Sequence, residues 1–200
     1  MSPLLLIAGI IETSTAIPYI RDIRRKTTRP AIVSWFTWML LSGVAAGASF
    51  SQGAMASAVL ASALALECLA IVAFSIGKGH ITYSRFDAFC QLGAFLGLIL
   101  WYSTKDPIVA VIIFVVVDAI GALPTFRHAW RRPYEETMYT FSLSILANAL
   151  ALVAISDYTF EDTVVPAYLL LLNLLITAEL LLRERGPKFL RVKMRRRKHG

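Results

Sequence analysis

Apolar residues fall into seven long segments separated by short polar stretches. A helix needs about 20 mostly apolar residues to cross the hydrocarbon core of a membrane. Pro30, Pro107 and Pro166 stand at or just before segment starts, where the missing N–H of a proline is tolerated. The pattern predicts seven spanning helices, at about 3–20, 31–51, 54–77, 88–104, 108–126, 138–156 and 165–183.

Composition agrees with this pattern. The 200 residues are 57% hydrophobic and only 16% charged, whereas soluble domains average about 45–50% apolar and about 25% charged residues. The sequence therefore predicts an all-α integral membrane protein whose first partner is the lipid bilayer. Its net charge of +7 could suggest a nucleic-acid partner. We exclude one, because the basic residues punctuate apolar segments instead of covering one folded face.

The basic residues also predict an orientation. All but one of the 20 Lys and Arg residues fall on one side of the predicted topology, and Lys105 is the exception. The positive-inside rule then puts the N-terminus outside and the C-terminus in the cytoplasm. That orientation requires an odd number of spans. The short loops favour the inner (plasma) membrane of a bacterium. The basic tail is expected to rest on anionic lipids, with a specific partner-binding motif as the alternative.

A gap-free shift of 106 residues aligns the first three segments with the last three. Pro18 falls on Pro124 (124 − 18 = 106) and Glu12 falls on Asp118. The shift also pairs other polar positions: Ser34 with Thr140, Ser42 with Asn148, and Glu67 with Asn173. The fourth segment is left over, and an odd linker makes two three-helix repeats parallel.

The predicted fold is therefore a 3+1+3 arrangement of seven helices. It comprises a first repeat at 1–77, a cytoplasmic loop and linker helix at 78–107, a second repeat at 108–183 and a basic cytoplasmic tail at 184–200.

Two stretches carry a family resemblance: "IPYIRDIRRKTTRPAIVSWFTW" (17–38) and "LPTFRHAWRRPYEETMYTFSLSILANALAL" (123–152). With their repeated prolines they resemble the SWEET/PQ-loop (SemiSWEET-like) superfamily of membrane transporters. Tyr19 and Thr125 follow the prolines where the namesake motif has Gln, so the subfamily stays open. The resemblance implies alternating-access transport of sugars, amino acids or vitamins. It also leaves open a membrane receptor or sorting protein, because that fold includes one.

Three acids lie near the bilayer centre of the predicted spans: Glu12, Glu67 and Asp118. An ionisable residue at that depth costs about 2.5–3.5 kcal/mol, so we expect the neutral form at rest. Such acids can couple transport to protons or bind a cation. The alternative is that they only hydrogen-bond between helices. Glu179, four residues before Arg183, is interpreted as an interfacial pair.

Polar residues recur every four positions on two predicted helices. Ser34, Trp38 and Ser42 share one face, and Thr140, Ser144 and Asn148 share the matching face of the other repeat. These stripes predict a common cavity, with close packing of small residues as the alternative.

The resemblance makes Asn173 and Asn148 candidates for substrate hydrogen bonds. Glu67 replaces Asn in the first repeat, and an ionised Glu can only accept hydrogen bonds. We therefore hypothesise a substrate with a cationic or donor-rich face, or a proton carried by Glu67.

Trp35 and Trp38 are expected to anchor the interface, with substrate stacking or gating as the alternative. Trp101 and Trp130 are interpreted as interfacial belt residues. Pro18 and Pro124 each remove one helical hydrogen bond. The pair predicts hinges, with static kinks as the alternative.

Motifs for catalysis and metal binding are absent from the sequence. It contains no CxxC, HExxH or ATP-binding loop, so we predict no metal and no cofactor. No nucleophile accompanies the acids, which argues against an intramembrane enzyme. The leading function is a secondary transporter or facilitator of a small polar solute, with proton coupling as one option. A homo-oligomer stays open.

Overall fold

A computed structural model describes residues 2–28, 30, 32–76 and 107–185, together with isolated positions between 85 and 104. These residues form helices and connecting turns, with no strand among them. The helices are α1 (Pro3–Ser14), α2 (Ala16–Arg24), α3 (Ile32–Ser51), α4 (Met55–Ser75), α5 (Pro107–Arg131), α6 (Met138–Ala154) and α7 (Phe160–Arg185), and a 3-10 helix covers Pro133–Glu135. The predicted span at 88–104, apart from isolated positions, and the tail from 186 onward lie outside the described residues.

Five helical segments are long and apolar enough to cross a membrane: Pro3–Arg24, Ile32–Ser51, Met55–Ser75, Val111–Arg131 and Phe160–Arg183. A sixth, Met138–Ala154, is apolar but shorter. The all-helical prediction is confirmed for the described residues, and six of the seven predicted segments coincide with these helices. Their length and composition are compatible with an integral membrane protein.

The first segment is not one continuous helix. α1 ends at Ser14 and α2 begins at Ala16, because Pro18 has no N–H to donate to the carbonyl of Ser14. At this break the carbonyl of Thr15 accepts a hydrogen bond from Thr140 Oγ1 at 2.9 Å. Pro124, by contrast, lies inside the unbroken α5.

The predicted start of the last helix was wrong. α7 begins at Phe160, so Pro166 lies inside it and not at its start. Thr159 Oγ1 accepts a hydrogen bond from the N–H of Asp162 at 3.3 Å and so helps to start the helix earlier. Pro166 leaves the carbonyl of Asp162 without its helical donor. Ser57 Oγ donates to that carbonyl at 3.2 Å, so a neighbouring helix satisfies the group.

The helices pack in two similar sets. α4 packs against α1 and α3, and α7 packs against α5 and α6. Between the sets, α1 contacts α6, α3 contacts α5, and α4 contacts α7. Ser57, near the start of α4, hydrogen-bonds to residues at the start of α7. Farther along, Glu67 and Asn173 line one cavity, so α4 and α7 run parallel.

One end of the bundle, which we call the basic end, gathers the ends of α2, α5 and α7 with the start of α6. Thr28 and Thr137 share a hydrogen bond of 2.8 Å there. The guanidinium of Arg183 lies 3.3 Å from the centre of the Trp130 ring. Three hydrophobic clusters of buried residues, contributed by helices from α1 to α7, form the core of the bundle.

Candidate functional site

A small cavity, which we call the central cavity, lies in the middle of the bundle. Side chains from α1, α3, α4, α5, α6 and α7 form its wall. Its polar and aromatic lining consists of Glu12, Trp35, Trp38, Glu67, Asp118, Thr140, Phe141, Ser144 and Asn173. Its volume is about 30 Å³, which is room for roughly one or two water molecules.

Three carboxyl groups converge on the central cavity from three helices. Glu12, Glu67 and Asp118 are each only 1% exposed. Glu12 Oε1 accepts a hydrogen bond from Ser144 Oγ at 3.2 Å, and Asp118 Oδ2 accepts one from Tyr168 Oη at 2.9 Å. Glu12 and Glu67 are close enough to interact electrostatically. The shift-related acids Glu12 and Asp118 thus meet at one place, together with Glu67.

Each of these acids keeps one oxygen atom free. Glu12 Oε2, Glu67 Oε2 and Asp118 Oδ1 are buried and have no hydrogen-bond partner within the described part of the chain. The indole Nε1 of Trp38 is also buried and without a hydrogen-bond partner among the described residues. Nearly all buried polar atoms in proteins are hydrogen-bonded. The cavity therefore presents three acceptors and one donor that a bound solute could satisfy.

The predicted site residues divide into two groups. Glu12, Glu67, Asp118, Asn173 and Trp38 line the central cavity. The others are outside its lining, namely Ser42, Asn148, Pro18 and Pro124.

Three predicted site residues carry hydroxyl or amide side chains: Ser42, Asn148 and Asn173. Asn148 Nδ2 donates to the carbonyl of Ser144 at 2.8 Å, and Ser42 is fully buried. Asn173 Nδ2 is held by the carbonyl of Leu169 at 2.8 Å, so its oxygen is the more available end.

Two tryptophans belong to the interior. Trp35 and Trp38 are 2% and 5% exposed, so the expectation that they anchor the interface is wrong. Their ring centres lie 5.1 Å apart with perpendicular planes. Trp35 also packs edge-on against Tyr19 at 4.8 Å. Both rings line the central cavity together with the acids, so the alternative, that they contact a solute or close its path, stays a prediction. Trp130, by contrast, is 60% exposed, and Trp101 lies outside the described residues.

A buried hydrogen-bonded chain continues from the tryptophans toward the basic end. Trp35 Nε1 donates to Tyr19 Oη at 3.2 Å, and Tyr19 Oη donates to Glu136 Oε2 at 2.7 Å. His128 Nε2 lies 3.8 Å from Glu136 Oε1. Burial raises the pKa of Glu136 to about 8, although the hydrogen bond from Tyr19 opposes the shift. These contacts connect Trp35, in the wall of the central cavity, with the basic end.

Sequence reasoning missed two residues of this region. Glu136 lies in a polar stretch of the sequence between two predicted spans, and only the fold brings it to Tyr19. Tyr168 stands in the apolar run "PAYLLLLN", and a lone hydroxyl in such a run is a signal that could have found it.

Metal ligands and cysteines are the remaining candidates for chemistry among the described residues. No three His, Cys, Asp or Glu side chains in these ranges converge as metal ligands. Cys68 is buried and unpaired, and Cys90 lies outside the described residues. No family model, curated protein or solved structure matches the chain. The site must therefore be interpreted from its own geometry.

Proposed function

We propose that the protein is a secondary transporter or facilitator that carries a small polar solute across a membrane by alternating access. The central cavity would be its binding site. The observation that carries this proposal is the convergence of six helical segments on a buried cavity with three half-satisfied acids. A bundle that needed only to be stable would fill this space with apolar side chains, because unpaired buried polar atoms cost free energy.

The depth of the cavity supports the proposal. Glu67, Asp118 and Asn173 lie near the middle of their helices, and Glu12 lies near the middle of the apolar segment Pro3–Arg24. Substrate sites of many secondary transporters lie near the bilayer midplane, between structural repeats. A solute held there would be equally far from both faces of the membrane.

Helix packing supports two three-helix repeats. In each set the third helix contacts the other two, and the contacts between sets pair α1 with α6 and α3 with α5. If α1, α3 and α4 exchange places with α5, α6 and α7, the contact of α1 with α6 becomes the contact of α5 with α3. A two-fold axis relating the two sets has this effect. The parallel course of α4 and α7 is consistent with parallel repeats. We therefore keep the 3+1+3 arrangement and the SWEET/PQ-loop resemblance as part of the proposal.

Orientation follows from the basic end. Arg127 and Arg131 in the last turns of α5, and Arg132 directly after it, lie at the same end as the last turn of α7, which carries Arg183. The positive-inside rule assigns such an end to the cytoplasm. The hydrogen-bonded residues from Trp35 to Glu136 would then be the inner gate, and the cytoplasmic mouth would be closed in this conformation.

Movement is required for this function. A cavity of about 30 Å³ cannot hold a sugar or an amino acid, since ligand sites usually measure about 300–1,000 Å³. The helices must separate before a solute enters. The break before Pro18 lies between the cavity and the basic end, where α2 could swing away from α6.

The test is uptake into proteoliposomes made with the purified full-length chain. A panel of labelled sugars, neutral amino acids and cationic amino acids is offered with and without a pH gradient. Uptake of one class above empty liposomes supports the proposal. Uptake that stops when the gradient is removed indicates proton coupling. Binding of a panel member without flux would instead favour a receptor of the same architecture.

A further inference from the structure

A second pocket, which we call the arginine pocket, lies at the surface of the basic end. It is formed by the end of α5, the 3-10 helix and the end of α7, and its volume is about 490 Å³. Its lining includes Trp130, Arg131, Arg132, Tyr134, Glu135 and Arg183. None of these residues lines the central cavity, so this pocket is separate from the proposed transport site.

Arg183, in the last turn of α7, is held against an aromatic ring. Its guanidinium carbon lies over the Trp130 ring, 3.3 Å from the ring centre, which is a cation–π contact. Its Nε atom is buried and has no hydrogen-bond partner within the described residues. The indole therefore fixes the position of the guanidinium while leaving hydrogen-bond donors at its edge for a ligand.

The charges in the arginine pocket do not balance. Arg132 Nη1 contacts Glu135 Oε1 and Oε2 at 3.3 and 3.4 Å. Arg131 and Arg183 add two further positive charges to the lining. The lining thus has three guanidinium groups and one carboxylate. Glu179, outside the lining, interacts electrostatically with Arg183, so an excess of one positive charge remains. An anion of charge −1 would neutralise this excess.

We infer that the arginine pocket binds a phosphate group. A guanidinium presents a planar fork of donors that matches phosphate oxygens, and one such fork is already oriented by Trp130. The phosphate can come from the headgroup of an anionic phospholipid or from a soluble phosphate compound. The exposed Trp130 ring lies beside the pocket and would reach the headgroup region in a membrane.

Arginines near helix ends have an ordinary explanation as well. Cations stabilise helix C-termini, and basic residues set membrane topology. Neither role requires a pocket, a stacked guanidinium or an excess of charge confined to one cleft. The experiment must therefore separate the arginine pocket from the general positive charge of the basic end.

The experiment measures the thermal unfolding midpoint of the full-length protein in detergent at constant ionic strength. A ligand that binds only the folded state raises this midpoint in a concentration-dependent way. The probes are inorganic phosphate in one arm and phosphatidylglycerol in mixed micelles in the other. Phosphatidylcholine micelles and sodium chloride serve as blanks.

The decisive variant is Arg131→Gln combined with Arg183→Gln. We expect it to raise the half-saturating probe concentration about tenfold or more, since each charge near an anionic surface contributes on the order of 1 kcal/mol. The matched control is Arg24→Gln combined with Arg25→Gln. It removes two charges from the same end but outside the pocket, and it should shift half-saturation much less. If the first double variant does not fold, the exposed Arg131→Gln alone should still weaken binding a few-fold.

The two arms identify the source of the phosphate. Saturation with phosphatidylglycerol alone assigns a lipid headgroup, and saturation with inorganic phosphate assigns a soluble source or the group common to both. Saturation in neither arm would overturn the inference. Equal weakening by the two double variants would also overturn it, because the effect would then come from overall charge.

Discussion

Carboxyl groups lie between helices at two places, at Asp162 and at the three acids of the central cavity, and their hydrogen bonding differs. Asp162 Oδ1 accepts hydrogen bonds from the backbone N–H groups of Ala56 and Ser57 at 3.0 and 3.2 Å. These N–H groups belong to the start of α4, where Ala54 offers no capping side chain. Asp162 therefore caps a helix of the other set. Each cavity acid, by contrast, leaves an oxygen unsatisfied.

The difference distinguishes a carboxyl group that stabilises helix packing from carboxyl groups that the proposed function would use. A carboxylate at a helix N-terminus meets free N–H donors and a favourable dipole, so Asp162 stabilises the contact between α4 and α7. Glu12, Glu67 and Asp118 lie more than two turns from the N-termini of their helices, where backbone donors are already used. Their free oxygens stabilise nothing in this conformation. We therefore expect substitutions at the two places to affect different measurements.

The largest expected effect is on transport. Glu67→Gln keeps the shape of the side chain but removes the carboxylate, so a donor-rich or cationic solute loses an acceptor. A lost hydrogen bond to a charged group is worth about 1.5–3 kcal/mol, and we expect uptake of the carried solute to fall at least tenfold. The thermal unfolding midpoint should stay equal or rise.

The control for this change is Glu161→Gln at the start of α7, which lies outside the cavity lining and should leave uptake intact. If Glu67→Gln left both the substrate preference and the pH dependence of uptake unchanged, the assigned role of Glu67 would be wrong.

Asp162→Ala should act in the opposite sense. The substitution removes the cap of α4, so the free energy of unfolding should fall by about 1–2 kcal/mol. Uptake per folded molecule should remain close to that of the wild type. Thermal unfolding in detergent measures the first quantity and proteoliposome uptake the second.

Asp157→Ala, in the exposed turn before α7, is the matched control and should change neither. Lost uptake with unchanged stability in Asp162→Ala would contradict the comparison.

Glu136 tests a buried acid that belongs to neither class. Its pKa of about 8 lies above the ordinary 4.5, so the folded state keeps a proton that the unfolded chain releases. The stabilising contribution of this group should be complete below about pH 4.5 and should be lost as pH rises toward about 8, by at most about 1.4 kcal/mol per pH unit. Glu136→Gln should flatten this decline.

The measurement is the unfolding midpoint between pH 5 and pH 9. Tyr19, His128 and Glu135 also face this carboxyl, so Glu135→Gln is the comparison variant. An identical pH slope in wild type and Glu136→Gln would rule out the buried proton.

The smallest effect concerns the two prolines. The first segment breaks before Pro18, whereas α5 continues through Pro124. We therefore expect Pro18→Ala to slow uptake a few-fold and Pro124→Ala to slow it less. Uptake rates in the two variants, normalised to the amount of reconstituted protein, measure this. Full rates in both would identify static kinks.

Much of the helical layout could be predicted from local signals. The helices between Pro3 and Ser75 cover the first three predicted segments to within a few residues at their outer ends, although the first segment is divided into α1 and α2. Apolar length and flanking charge are properties of the chain itself. The start of α7 could not be predicted in this way. Ser57, from a distant helix, satisfies the Asp162 carbonyl that Pro166 leaves free, and this contact makes an earlier helix start possible.

The candidate site shows the same division. A single shift of the sequence related Glu12 to Asp118 and Glu67 to Asn173, and all four line the central cavity. The shift related Ser42 to Asn148 equally well, yet both lie outside the lining. Helical periodicity gives the face of a residue but not the depth at which neighbouring helices separate, so it cannot distinguish a cavity wall from a packed contact.

The sequence by itself determined the helical class, most helix positions and, among the described residues, the gathering of arginines at one end. Hydrophobicity and charge act locally, so a single chain displays them. Only the tertiary structure decided that Tyr19 meets Glu136, that Trp35 and Trp38 are interior and that Arg183 lies on Trp130. These contacts join residues far apart in the chain, and their geometry depends on how whole helices pack.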